Sequence, residues 1–151
     1  MLLINGISGT KSKAVICSCQ RTDHGWINSL PCFQAVVGSN GISPEHEKVE
    51  GDGTTPVGIF GIGEYFGWTN MSDTVVQSFK WDYRYIVDVK DADGKYLDKF
   101  VDDAGSPYYN TWVTGVTDAK SYEEMHIDPY KYGFVVNYNM YPTVPGMHYY
   151  Q

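Results

Sequence analysis

At 151 residues, the chain is long enough to bury a core as one domain spanning residues 1–151. Its formal net charge of −7, with no Lys/Arg cluster, excludes nucleic acid and a basic membrane-surface helix as partners. Only 19% of residues are charged and 15% are aromatic, with 13 Tyr and 16 Gly, which argues against disorder and for a β-rich domain with many turns.

The opening Met1-Leu2-Leu3-Ile4-Asn5-Gly6 lacks a charged n-region, and its apolar run is too short for a signal peptide. No stretch is long enough to span a bilayer. Ala14 to Cys19 reads as a strand, followed by the polar loop Arg21-Thr22-Asp23-His24-Gly25. Phe33 to Val37 reads as a second strand, stopped by Gly38-Ser39-Asn40-Gly41, whose Gly and Asn residues tolerate positive φ. The run Glu50-Gly51-Asp52-Gly53-Thr54-Thr55-Pro56-Val57-Gly58 is too rich in Gly for an element interior and reads as a tight loop. There Asp52 and Thr55 can bond loop N–H groups, while Pro56 stiffens the approach to a strand expected to begin near Ile59.

Tyr85 to Lys90 and Tyr96 to Val101 alternate as two half-buried strands, and Asp91-Ala92-Asp93-Gly94 between them supplies hairpin turn chemistry. Ser121 to about His126 reads as a short helix capped by Asp118 or Ser121, with Glu123 and Glu124 near its positive end. Phe134 to Tyr138 is the last expected strand.

Candidate chemistry rests on few residues. Cys17, Cys19 and Cys32 leave at least one thiol unpaired in any intramolecular scheme, and no disulfide framework or CxxC zinc spacing is visible. Cys17 and Cys19 share a strand face and read as inert core thiols. None of these cysteines has a sequence context that would activate it with His24, His46, His126 or His148. Glu45-His46-Glu47 and His126-Ile127-Asp128 lack the ligand spacing of a zinc site, so no metal and no cofactor is expected. Asp91, Asp93 and Gly94 match a calcium loop only superficially, and the glycine run lacks the Lys-Ser/Thr of a phosphate-binding loop.

Several segments resemble the L,D-transpeptidase catalytic domain (YkuD-type). Glu50, Gly51, Asp52, Gly53, Thr55, Pro56 and Gly58 match its E-G-D-G-K-T-P-x-G-x-F loop, with Thr54 in place of the usual Lys. Gly38, Asn40 and Gly41 are similar to the family turn that precedes this loop. Asp103, Ser106, Tyr109 and Asn110 resemble its D-x-x-S-x-x-Y-N segment. Ser121 to Met125, followed by Tyr132 to Asn139 with Tyr138 and Asn139, is similar to its S-x-E-x-M … V-I-x-Y-N block, and Pro142, Pro145 and Gly146 fall at its Pro/Gly turn. The matches run in order from about residue 33 to residue 146.

The resemblance implies a mainly β fold: a β-sandwich of mixed sheets with one or two short helices, incomplete at its C-terminus. It also implies a cell-envelope or secreted location and action on peptidoglycan stem peptides. In that family a cysteine attacks a carbonyl of a donor stem, and an amine then resolves the thioester. The family's Gly-Ser-x-Ile-Phe-x-His and Ser-x-Gly-Cys stretches have no counterpart here, where the chain reads Met147-His148-Tyr149-Tyr150-Gln151. The expectation is therefore a transpeptidase-type domain without turnover of its own and with no catalytic residue assigned. The alternative is a non-catalytic peptidoglycan- or glycan-binding module.

Overall fold

The computed structural model describes residues 1–68, 83–115, 117–140 and 143. The chain is mainly β and divides into two compact units, residues 1–58 and 59–146. The Pro/Gly turn at Pro142, Pro145 and Gly146, and His148, lie outside the described residues.

In the first unit, β1 (Leu2–Gly6) runs antiparallel to β2 (Lys13–Thr22), with Leu2 opposite Ser18 and Gly6 opposite Ala14. Along its other edge β2 takes two partners in succession. β4 (Phe33–Val36) pairs with Lys13 to Ile16, and β3 (Gly25–Asn28) pairs with Cys19 to Thr22. Ile16 opposite Phe33 ends one ladder and Cys19 opposite Asn28 ends the other. Cys17 therefore faces Cys32 in the gap between them, and the two form a disulfide with Cα atoms 4.4 Å apart. This corrects the expectation of inert core thiols: antiparallel register brings Cys32 across from Cys17, and only Cys19 stays free and half-buried.

β5 (Gly41–Pro44) then pairs in parallel with β6 (Thr54–Val57), joined across the short 3-10 turn Glu45–Glu47. The glycine run is thus partly strand itself, and Ile59 starts none. The next strand, β7, spans Ile62–Gly67.

In the second unit, β7 is the centre of a mixed sheet, antiparallel to β12 (Gly133–Val136) and parallel to β8 (Tyr83–Tyr85). The expected hairpin survives only at its tip. Lys90 bridges Tyr96, and Asp91 Oδ1 accepts the N–H groups of Asp93 and Lys95, while Gly94 takes a φ of 78°. Before that tip the chain leaves β9 (Asp98–Val101) to pair with β7, since Ile86 N–H donates to the Gly67 carbonyl.

β9 is central to a second sheet, between β10 (Thr111–Thr114) and β11 (Tyr122–Glu124). The short helix expected over Ser121 to His126 is therefore a strand. Its acidic residues mimic a helix start, yet Tyr122 pairs with Val101 and Glu124 with Lys99, and Met125 N–H bonds the Asp98 carbonyl. Ladder bonding to a waiting edge outweighs the weak local preference of so short a segment. A 3-10 turn, Asp128–Tyr130, follows.

Phe66, Ile86 and Met125 form the core of this unit, with Trp68, Phe100, Trp112, Tyr130 and Val135 packed against them. Phe66 meets Trp112 edge-on at 5.4 Å between ring centroids. Asp98, buried in the same unit, is satisfied by three donors: Trp112 Nε1 at 3.1 Å, the Thr114 hydroxyl and Val87 N–H at 2.8 Å. Among the described residues, no helix is long and apolar enough to cross a membrane.

Candidate functional site

The residues that carry the family resemblance gather into two hydrogen-bonded assemblies, one in each unit. In the first, Asp52 organises its own loop. Its Oδ1 accepts from Thr54 N–H at 2.7 Å, from the Thr54 hydroxyl at 2.8 Å and from Lys48 Nζ at 2.8 Å. Its Oδ2 accepts from Val49 N–H at 2.8 Å. Burial raises the carboxyl pKa, but the donors of Lys48, Val49 and Thr54 together outweigh it and hold the group well below the usual carboxylate range.

The Gly38–Gly41 turn closes onto this loop. Asn40 N–H donates to the Gly53 carbonyl at 2.9 Å, and Asn40 Nδ2 donates to the Asp52 carbonyl at 2.8 Å. The Thr55 hydroxyl accepts from Gly38 N–H at 2.9 Å, so Asp52 bonds N–H groups of its own loop as expected, whereas Thr55 bonds the preceding turn instead. Gly38 has no room for a side chain, because a Cβ there would run into the Gly53 carbonyl oxygen. Gly41, Gly51 and Gly53 all take positive φ. Pro56 sits in β6 opposite Ser43, and Gly58 follows that strand, exposed. Glu50 is exposed at the loop's start.

The second assembly ties the Asp103 segment to the end of β12. Asp103 accepts Gly105 N–H at 2.9 Å and Lys120 N–H at 2.8 Å, and these bonds, Lys120 first, lower its pKa. Ser106 N–H bonds the Asp103 carbonyl, and the Ser106 hydroxyl accepts Tyr108 N–H. Tyr109 is buried. Asn110, at a φ of 57°, donates its Nδ2 to the Asn139 carbonyl at 2.7 Å and to the Tyr138 carbonyl at 3.4 Å. Asn139 itself has a φ of 54°. Asn tolerates this left-handed region better than other side chains of its size, which fits its presence at both positions.

Among the described residues of the first unit, the candidate cysteines have partners other than histidine. Cys17 and Cys32 are locked in the disulfide, and Cys19 Sγ contacts Asn28 Oδ1 at 3.6 Å. His24 lies in the turn after β2, its N–H bonded to the Thr22 hydroxyl. His46 is exposed, 3.6 Å from Glu47. His126 belongs to the second unit, its ring between Trp68 at 5.1 Å and Tyr96 at 4.7 Å. Among the described residues, no group of three or more His, Cys, Asp or Glu could hold a metal ion.

Sequence reasoning did not find Lys48 as the partner of Asp52, although its place four residues earlier offered the signal. It also missed the Lys99–Asp91 pair, in which a nearly buried ammonium lies 3.3 Å from the carboxylate and over the Tyr122 ring. A Lys in an alternating strand pattern gives no sign that β9 will be covered on both sides.

No protein-family model, curated protein or solved structure matches this chain.

Proposed function

We propose that the chain is a domain of the L,D-transpeptidase type, a β-sandwich of mixed sheets that recognises peptidoglycan stem peptides and performs no acyl transfer by itself. The observation that carries this reading is the pairing of the matched segments. Residues that match the family turn, Gly38 to Gly41, bond to residues that match its glycine loop. Likewise Asn110, from the D-x-x-S-x-x-Y-N match, bonds the backbone at Tyr138 and Asn139.

The absence of turnover rests on the cysteines. A disulfide sulfur is no acyl acceptor, and acylation needs a thiolate beside a base. Cys19 has an amide oxygen as its contact. The Cys17–Cys32 disulfide also supports a secreted or cell-envelope location, since such bonds persist in oxidising compartments.

The test is a calorimetric titration of the folded chain with a soluble stem tetrapeptide, paired with intact mass after incubation with a carbapenem. Saturable heat with no mass adduct is the expected result. A flat titration overturns the recognition, and a stoichiometric adduct on cysteine overturns the lack of turnover.

A further inference from the structure

The three cysteine sulfurs of the first unit cluster at one edge of β2, two of them against one side chain. Cys17 and Cys19 are two residues apart on β2 and so project from the same face. Cys32 lies across from Cys17, bonded to it. The Asn28 carboxamide touches the other two sulfurs at once: its Oδ1 is 3.6 Å from Cys19 Sγ, and its Nδ2 is 3.6 Å from Cys32 Sγ. The free thiol and a disulfide sulfur are thus separated by a single amide group.

From this cluster we infer a built-in thiol–disulfide exchange, in which the bridge moves between Cys17–Cys32 and Cys19–Cys32. Cys19 loses its proton to solvent and its thiolate attacks Cys32 Sγ. The Cys19–Cys32 bond forms as the Cys17–Cys32 bond breaks, and the electron pair leaves on Cys17 Sγ, which takes up a proton. The number of S–S bonds is unchanged, so no oxidant or reductant is consumed.

The backbone at Cys32 is free to move. Cys32 precedes β4, which begins at Phe33, and so lies outside the ladder. Pro31 before it has no N–H to give up. In the second isomer Cys32 advances from Cys17 toward Cys19 on the same sheet face, and Asn28, which stands opposite Cys19 at the end of the β3 ladder, gives way to admit it. The isomers would hold the connection between β3 and β4 in two different places, which makes this edge of the sheet a switch set by thiol–disulfide exchange.

The test uses the full chain. It is held folded at pH 8, then trapped in acid, denatured and alkylated without reduction, and the labelled cysteine is located by peptide mass spectrometry. The expected result is label on both Cys19 and Cys17, with all label lost in Cys19→Ser. Independently, Cys17→Ser should oxidise to a chain lighter by two hydrogens that carries Cys19–Cys32. Label confined to Cys19 in the unaltered chain overturns the exchange, and so does Cys17→Ser remaining with two free thiols after oxidation. The first readout needs no variant to fold.

Discussion

Asn40 and Asp52, twelve residues apart, join two loops through opposite ends of their chemistry. The Asn40 side chain donates to the Asp52 carbonyl, while the Asp52 carboxylate is turned inward onto Lys48, Val49 and Thr54. The turn before β5 is fastened to a loop that is already rigid. This order explains why the glycine run ends as a strand rather than as a free loop: Gly41 and Thr54 are delivered opposite each other, where the parallel ladder begins.

Asp52 should therefore be the acid-sensitive point of this unit. Its folded pKa lies below the ordinary 3.8, so its contribution is complete above that value and is lost as pH falls from there toward the folded value. Asp52→Asn should cost about 1–3 kcal/mol at pH 7, the range for charged hydrogen bonds at a partly exposed site. Urea unfolding at pH 7 and pH 3 checks both points, since the variant should lose less stability on acidification than the unaltered chain.

Gly38 and Gly94 separate two reasons for glycine. Gly38→Ala meets the Gly53 carbonyl and should cost about 2–3 kcal/mol through overpacking. Gly94 has a φ of +78° with nothing within 4 Å of an added Cβ, so Gly94→Ala should cost only about 1 kcal/mol of backbone strain. Denaturation midpoints for the two variants would reveal the order.

The Cys17–Cys32 bridge spans 15 residues, for which loop-closure entropy gives about 3 kcal/mol. Reduction, or the double substitution of Cys17 and Cys32 by Ser, should lower stability by about that amount. Equilibrium unfolding with and without a reductant measures it.

Asn110 combines a left-handed backbone with a side-chain bond to Asn139. Asn110→Gly keeps the backbone conformation and loses the bond, at about 1 kcal/mol. Asn110→Ala loses the bond and adds strain, so it should be the worse of the two by about another 1 kcal/mol. Thermal melts of both variants test the order.

The strands around Ala14–Cys19, Phe33–Val37 and Phe134–Tyr138 were legible because each is a short apolar, β-branched or aromatic run bounded by turn residues. The Asp91–Gly94 turn was legible because Asp91 needs only neighbours two and four residues away. What stayed hidden depends on partners far along the chain. Pairing with β7 draws Tyr85 and Ile86, the start of the expected Tyr85–Lys90 strand, away from the hairpin that its sequence suggests. Tyr122–Glu124 becomes a strand only because β9 offers it an open edge. The disulfide was hidden because β2 changes partners between Ile16 and Cys19, and no local pattern marks that switch. Within the candidate site, the bonds of Asp52 inside its own loop could be read from residue type, whereas the bond from Gly38 to Thr55, 17 residues away, and that from Asn110 to Asn139, 29 residues away, could not.

The most direct test of the stem-peptide reading is co-sedimentation of the folded chain with purified peptidoglycan sacculi, with and without excess soluble stem tetrapeptide. The account predicts that the chain pellets with the sacculi and that the tetrapeptide releases it into the supernatant. A chain that stays in the supernatant, or that pellets and is not released by the peptide, would contradict it.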